Sequence, residues 1–198
     1  CALPISISPA VFKQTPMRRN TRLEFWFFSL SLISLRLADL AITYAVSPDL
    51  RWEINPLVSV AGLGWFALIA ANVFGVALVV LLFYFSMLRM PEGHPQEPGY
   101  SQKEFISHYL FGDRHSFRKI YYVVPHNRRA IVHYSAYVFI RVLTIWSLII
   151  VLHNALVWYS EAFRNLMSDW QLWLGVYVLL VFLVLHFSLR YFRALYAE

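Results

Sequence analysis

The residues with the clearest potential for chemistry are polar side chains inside otherwise apolar segments. In residues 23–46, four of them recur at spacings of seven, three and four residues, which places them on one face of a helix. They are Ser29, Arg36, Asp39 and Thr43. Arg36 and Asp39 are one helical turn apart and can form an ion pair. The pattern indicates either a site for an ion, a proton or an anionic headgroup, or a structural pair that locks helices together.

A second polar stripe, with a spacing of three to four residues, lies in residues 130–159. Its members are His133, Tyr137, Arg141 and Thr144. We expect Arg141 to lie about as deep as Arg36, so that Asp39 is the only deep carboxylate near two deep arginines. One positive charge would then be uncompensated, and an anion, a lipid phosphate or a carboxylate substrate could balance it. Alternatively, Arg141 extends to the surface or donates to backbone carbonyls.

The loop after the first apolar segment adds a carboxylate and an amide. Asn55 and Pro56 are typical of the N-cap and the first turn of a helix. That interpretation does not explain Glu53, which would lie beside the helix mouth above Asp39. The candidate ligand-binding or ion-binding residues are therefore Arg36, Asp39, Thr43, Glu53, Asn55 and Arg141.

This region resembles a known family. Asp39, Thr43 and the run Glu53-x-Asn55-Pro56-Leu57 are similar to the first hairpin of a family of small bacterial and archaeal membrane proteins whose function is not established. The resemblance covers residues 35–79, although this loop is longer and lacks the glycine expected before the glutamate. It implies a four-helix membrane module with a shared polar cluster, and it implies no activity.

Small residues and histidines suggest other roles. Ala67, Ala71 and Gly75 are four residues apart, a spacing that lets helices approach closely, so we interpret them as packing positions. His133 and His186 are candidate axial haem ligands, but two such ligands must face each other at matched depth. The expected offset of about two turns disfavours haem. The sequence has no histidine or cysteine motif for zinc or di-iron chemistry, so we expect no metal and no cofactor.

The composition indicates what solvent these segments meet. Hydrophobic residues make up 59% of the 198 residues and charged residues 14%, against about 25% charged in soluble domains. We therefore expect an all-α integral membrane protein, a single four-helix bundle with no nucleic-acid partner. The predicted spans are residues 23–46, 57–88, 130–159 and 170–189, after an arm at 1–22. The connection 89–129 is predicted to carry an amphipathic helix at the membrane interface.

The basic residues predict the orientation. Thirteen Lys and Arg residues lie in the arm, the second connection and the carboxyl end, and two lie in the other two loops. Cytoplasmic loops carry an excess of Lys and Arg. We therefore expect a multi-pass protein of the cell (inner) membrane with both termini in the cytoplasm. Residues 1–6 resemble a translated sequencing adapter, and we expect the true start to be missing.

Three functions remain open at this stage. The first is a non-catalytic module that binds a membrane-protein partner, another copy of itself or a small anionic ligand through the polar cluster. The second is a small oligomeric channel or carrier with the cluster as its pathway. The third is an enzyme acting on lipid headgroups with His108, His115 and His126.

Overall fold

The computed structural model describes residues 12–14, 21–50, 61–89, 93–95, 99–167 and 170–196. In chain order the elements are β1 (Phe12–Gln14), α1 (Thr21–Val46), α2 (Trp65–Tyr84), β2 (Gly93–Pro95), α3 (Gln102–Phe111), α4 (Arg128–Tyr159), α5 (Glu161–Met167) and α6 (Trp170–Tyr196). A π-helical turn, Phe85–Arg89, continues α2, and a 3-10 helix, Phe117–Tyr121, follows α3. The described chain is helical apart from β1 and β2, which form one short antiparallel pair.

Four of the helices are long and apolar enough to cross a membrane. They are Thr21–Val46, Trp65–Leu88, Arg128–Tyr159 and Tyr177–Tyr196. The prediction of four long apolar helices is thereby confirmed. The last helix continues to Tyr196, beyond the predicted end at Leu189, because Arg190 and Arg193 favour a helix as well as the apolar residues before them.

The second long helix begins later than its apolar composition predicted. The predicted start was Leu57, whereas α2 starts at Trp65. Gly62 has a φ of +64°, in the left-handed region that glycine adopts without strain. Gly64 then precedes the helix in an extended conformation. Residues 57–60 of the predicted span lie outside the described part of the chain, and the two glycines precede the described start of α2.

Helix α4 lies at the centre of the described helices. It packs against α1 and α2 on one side and against α6 on the other. A core of α1, α2 and α4 includes the fully buried Phe83, Ala136 and Ile140. A smaller core between α4 and α6 includes Val138 and Phe187. The arrangement is more open than a closed bundle, since α6 reaches the others chiefly through α4.

The relative directions of the helices follow from their side-chain contacts. Glu24 contacts Arg141 and Asp39 contacts Asn154, so α1 and α4 run parallel. Tyr134 bonds Ser188, whereas Trp146 contacts Tyr177, so α6 runs antiparallel to α4. The start of α4 and the end of α6 therefore lie at one end of the molecule together with α3. We name this the α3 end and the other the opposite end.

Helix α3 has strong local signals at both of its ends. Ser101 and Glu104 form a reciprocal capping box, and Gly112 ends the helix with a φ of +71°. Asn127 then joins α3 to α4, because its side chain donates to the Tyr109 carbonyl and accepts from the Ala130 amide. These signals explain why a short helix forms in a polar connection.

The apolar face of α3 packs on protein. Its buried residues lie against the start of α4 and the end of α6. They are Phe105, Ile106, Ser107, Tyr109, Leu110 and Phe111. A short helix is therefore present in the predicted connection, and its apolar side chains pack on the ends of α4 and α6. The exposed apolar residues of the connection come later, at Tyr121, Tyr122 and Val124.

Candidate functional site

The outer polar cluster, defined as Arg36, Asp39 and Asn154, joins α1 to α4. The Arg36 guanidinium lies 3.4 Å from one Asp39 carboxylate oxygen. The Asn154 amide donates to the other carboxylate oxygen at 2.9 Å. The Arg36 side chain is 24% exposed and that of Asp39 15%. The predicted pairing of Arg36 with Asp39 is present, and the cluster couples two helices.

The same face of α1 carries the other two polar residues of the predicted stripe. Ser29 and Thr43 are both buried, and Thr43 lies one turn beyond Asp39. Glu53 and Asn55, which were expected to complete the cluster, lie outside the described residues. The described part of the cluster therefore consists of one ion pair, one amide and the nearby Thr43 hydroxyl.

Arg141 belongs to a separate site, the inner ion pair with Glu24. Its guanidinium donates to the Glu24 carboxylate at 3.0 Å and to the Tyr137 carbonyl at 3.1 Å. It also lies over two aromatic rings, 3.7 Å from the Tyr137 centroid and 4.8 Å from the Phe28 centroid. Arg141 is only 5% exposed. Carboxylate, carbonyl and aromatic faces thus replace the water lost on burial.

The expectation that Arg141 and Arg36 share Asp39 is wrong. Arg141 is level with Glu24, twelve residues before Arg36 on α1, which corresponds to about 18 Å along a helix. The reason is the offset between the two parallel helices, since α4 starts well beyond α1 at the α3 end. The two arginines were expected at equal depth because they lie at similar distances from the predicted starts of their helices. Since the helices start at different levels, their actual depths differ.

The charge argument changes with this geometry. Glu24 compensates Arg141, and Asp39 compensates Arg36. No positive charge is left over in these two sites for an anionic ligand. Between the levels of the two sites, the buried Ser29 hydroxyl of α1 lies among apolar side chains. The two ion pairs are therefore separate sites along the α1–α4 interface.

The small residues of α2 lie beside its contact face rather than in it. Ala67, Ala71 and Gly75 are half-buried, whereas Leu68, Val79 and Phe83 are buried. No atom lies within 4 Å of where a Cβ would stand on Gly75. The predicted close approach of helices at Gly75 does not occur among the described residues.

A buried serine–histidine pair was not foreseen from the sequence. The Ser86 hydroxyl lies 3.0 Å from Nδ1 of His133, and both residues are buried. Ser86 belongs to the π-helical turn, a distortion that is frequent at functional sites. A nucleophile and its base need this contact, but they also need access for a substrate. The full burial of Ser86 favours a structural role in joining α2 to α4.

The remaining histidines do not converge on a common point. His133 contacts Ser86, whereas His186 lies exposed on α6 between Phe182 and Phe187. In the second connection, His108 bonds the Tyr100 hydroxyl at 2.5 Å, and His115 and His126 are exposed. Within the described ranges, no three His, Cys, Asp or Glu residues are placed to hold a metal ion.

The strongest titration shift outside the long helices belongs to the α3 cap. The backbone amide and then the hydroxyl of Ser101 bond the Glu104 carboxylate, and the Arg114 guanidinium bonds it at 2.9 Å. These bonds lower the pKa of Glu104 to about 2. The Ser116 hydroxyl and the His115 amide lower the pKa of Asp113 in the same way. Both carboxylates serve the local fold of this connection.

A shallow groove of about 290 Å³ lies between α1 and α4 near the opposite end. Small and aromatic side chains line it, namely Ala41, Ile42, Ala45, Ala155, Trp158 and Tyr159. Ile42 follows Asp39 by about one turn and Ala155 follows Asn154 directly, so the groove begins just outside the Asp39–Asn154 bond. We name it the outer groove.

Sequence reasoning missed Asn154 and the pairing of Glu24 with Arg141. Asn154 is a polar residue within an apolar run, and this was a signal that could have identified it. Glu24 lies at the start of the first apolar segment, and its sequence position carries no comparable signal for its partner. Comparison of the chain with family models, with curated proteins and with solved structures found no match.

Proposed function

We propose that the chain is a multi-pass membrane protein that binds a transmembrane helix of a partner protein, or of a second copy, at the outer groove. Membrane insertion is supported by the outward faces of the long helices. Phe66, Phe74 and Leu23 are 88%, 71% and 69% exposed, and many other large apolar side chains are exposed around them. Patches of this extent are not stable in water but are well solvated by acyl chains.

The placement of charge supports an orientation with the α3 end in the cytoplasm of the cell. The described residues 99–130 and 186–196 carry eight Lys and Arg against the two carboxylates Glu104 and Asp113. Such an excess is typical of cytoplasmic segments. Both chain termini would then be cytoplasmic, and α3 would lie near the headgroups with its apolar face already covered by protein.

The observation that carries the binding function is the outer groove beside the Asp39–Asn154 bond. Ala41 and Ala45 are exposed and four residues apart, which lets another helix backbone approach closely. Trp158 and Tyr159 add large contact surfaces at the rim. Polar groups near a lipid-facing surface are costly, and a helix seated in the groove would shield Asp39 and Asn154. An anionic ligand is less suited to this site because Arg36 already balances Asp39.

A photo-crosslinking experiment in native membranes tests this function. A benzoylphenylalanine at Ala45 should give a discrete protein adduct, and the same group at the exposed Val181 of α6 should give none. An adduct at twice the 23.2 kDa chain mass identifies a second copy, and another discrete mass identifies a different partner. The proposal fails if Ala45 captures only lipid, or if Val181 gives the same adducts.

A further inference from the structure

A second groove lies on the outside of α6 at the α3 end, and its chemistry differs from that of the outer groove. It is an open surface groove with a volume of about 390 Å³. Its lining residues are His186, Leu189, Arg190, Arg193 and Ala194. They recur every three to four residues, so one face of a single helix supplies them all.

The two arginines of this groove have no acidic partner in the part of the chain that the structure describes. Both are exposed, and the ion pairs of the described residues involve other cations. This distinguishes them from Arg36 and Arg141, which are each paired with a carboxylate. These two charges lie at the end of α6, whereas the sequence predicted an uncompensated charge at Arg36 and Arg141.

Apolar side chains continue along the same face toward the opposite end. Phe182, Leu185 and Leu189 are exposed at 61%, 57% and 55%, and their spacing of three and four residues aligns them with Arg193. The face therefore has a cationic end and an apolar length. A phospholipid has the complementary form, with a phosphate at one end and an acyl chain extending from it.

The depth of the arginines fits the headgroup region. Tyr137 contacts Tyr191 and Tyr134 contacts Phe192, so Arg190 and Arg193 lie level with the second and third turns of α4. This is where the proposed membrane placement puts the cytoplasmic headgroups. Guanidinium groups bind phosphate through two parallel hydrogen bonds, and basic pockets at this depth bind anionic headgroups.

We infer that the α6 groove binds the phosphate of an anionic phospholipid of the cytoplasmic leaflet, with Arg190 and Arg193 as its ligands and Phe182, Leu185 and Leu189 along the acyl chain. This inference rests on the membrane placement of the proposed function but not on the outer groove or its partner. His186 also lines the groove and lies one turn before Arg190, toward the apolar residues. The site is distinct from the Arg36–Asp39 and Arg141–Glu24 ion pairs.

Native mass spectrometry of the full chain, purified in a zwitterionic detergent, tests the inference. Phosphatidylglycerol should bind the wild type more tightly than phosphatidylcholine. The double variant R190Q/R193Q should weaken phosphatidylglycerol binding about tenfold or more, since two charge-assisted hydrogen bonds are lost. The matched control R128Q/R129Q removes the same charge from exposed arginines at the same end and should retain affinity within about twofold, because exposed charges are screened.

Each other outcome has a defined meaning. Equal losses in the two double variants would show diffuse surface attraction and overturn the site, and so would equal binding of the two lipids. Competition by inorganic phosphate at lipid-like concentrations would show a site for a free anion instead. If R190Q/R193Q does not fold, the lipid comparison and the phosphate competition on the wild type decide. Alkaline extraction of membranes separately tests insertion, so that loss of the membrane placement is distinguishable from loss of this site.

Discussion

Arg141 shows how a single cation can be held among apolar helices. Its guanidinium has a carboxylate, a carbonyl and two aromatic faces around it, and Glu24 alone supplies the opposite charge among these contacts. Glu24 is far more accessible than Arg141, with 53% of its side chain exposed. The two partners should therefore respond differently when each is replaced.

The substitution Glu24→Gln should lower the free energy of unfolding by about 1–2 kcal/mol, less than a fully buried pair because Glu24 is half exposed. Arg141→Met preserves packing and removes the buried charge. In the Arg141→Met background, Glu24→Gln should leave the free energy of unfolding almost unchanged. The double-mutant cycle should therefore give a coupling energy of about 1–2 kcal/mol. SDS-driven unfolding in mixed micelles measures all four proteins. Strictly additive losses would show that the pair does not interact.

Asp39 is the other residue on which stability should depend. Asp39→Asn removes the charge that balances Arg36 and weakens the bond from Asn154. We expect a loss of about 2–3 kcal/mol, below that of a fully buried pair because Arg36 is partly exposed. The exposed Glu161 on α5 offers a control, and Glu161→Gln should change stability by less than about 0.5 kcal/mol. Equal melting of Asp39→Asn and wild type would contradict the structural role of the outer polar cluster.

At the scale of elements, the long helices could be predicted from the sequence and their contacts could not. Long apolar runs set the existence and order of α1, α2, α4 and α6. The start of α2 was harder, because Gly62 and Gly64 interrupt the helix without changing its hydropathy. The offset between α1 and α4 depends on packing across the interface, which periodicity does not encode. Periodicity within α1 correctly places four polar residues on one face, namely Ser29, Arg36, Asp39 and Thr43. It does not give the offset between helices, so the predicted partner of Arg141 was wrong.

Helix α3 offers a pH-dependent test of one element. The pKa of Glu104 falls from 4.5 to about 2 on folding, so its stabilising effect is complete above the unfolded value. It is lost as the pH falls from 4.5 through 2. The thermal midpoint of the wild type should therefore fall over this interval. That of Glu104→Gln should be lower near neutral pH and should change less on acidification.

The Glu161→Gln variant again serves as a control for that experiment, because its carboxylate is exposed and lies outside α3. It should follow the wild-type pH profile. If Glu104→Gln also follows the wild-type profile, the capping box does not stabilise α3 in solution. Hydrogen exchange in residues 102–111 would show whether the loss is local to this helix.

At the scale of the whole molecule, α4 organises both faces of the protein. One side holds α1 and α2 through an apolar core, with one ion pair to α1, and the other side holds α6. The two proposed sites follow this division. The outer groove lies between α1 and α4 at the opposite end, whereas the α6 groove lies at the α3 end. A partner helix and a lipid could therefore bind at the same time without contact.

The orientation of the molecule can be tested with two exposed positions at its two ends. Val124 is 79% exposed at the α3 end, and Ala61 is exposed before α2 at the opposite end. In a Cys1→Ser background, Ala61→Cys should react with a membrane-impermeant maleimide in intact cells. Val124→Cys should react only after permeabilisation, because the proposed orientation places the α3 end, with its excess of Lys and Arg, in the cytoplasm. The reverse pattern would invert the proposed topology and place the α6 arginines at the outer leaflet. Reaction of both positions in intact cells would contradict an odd number of crossings between them.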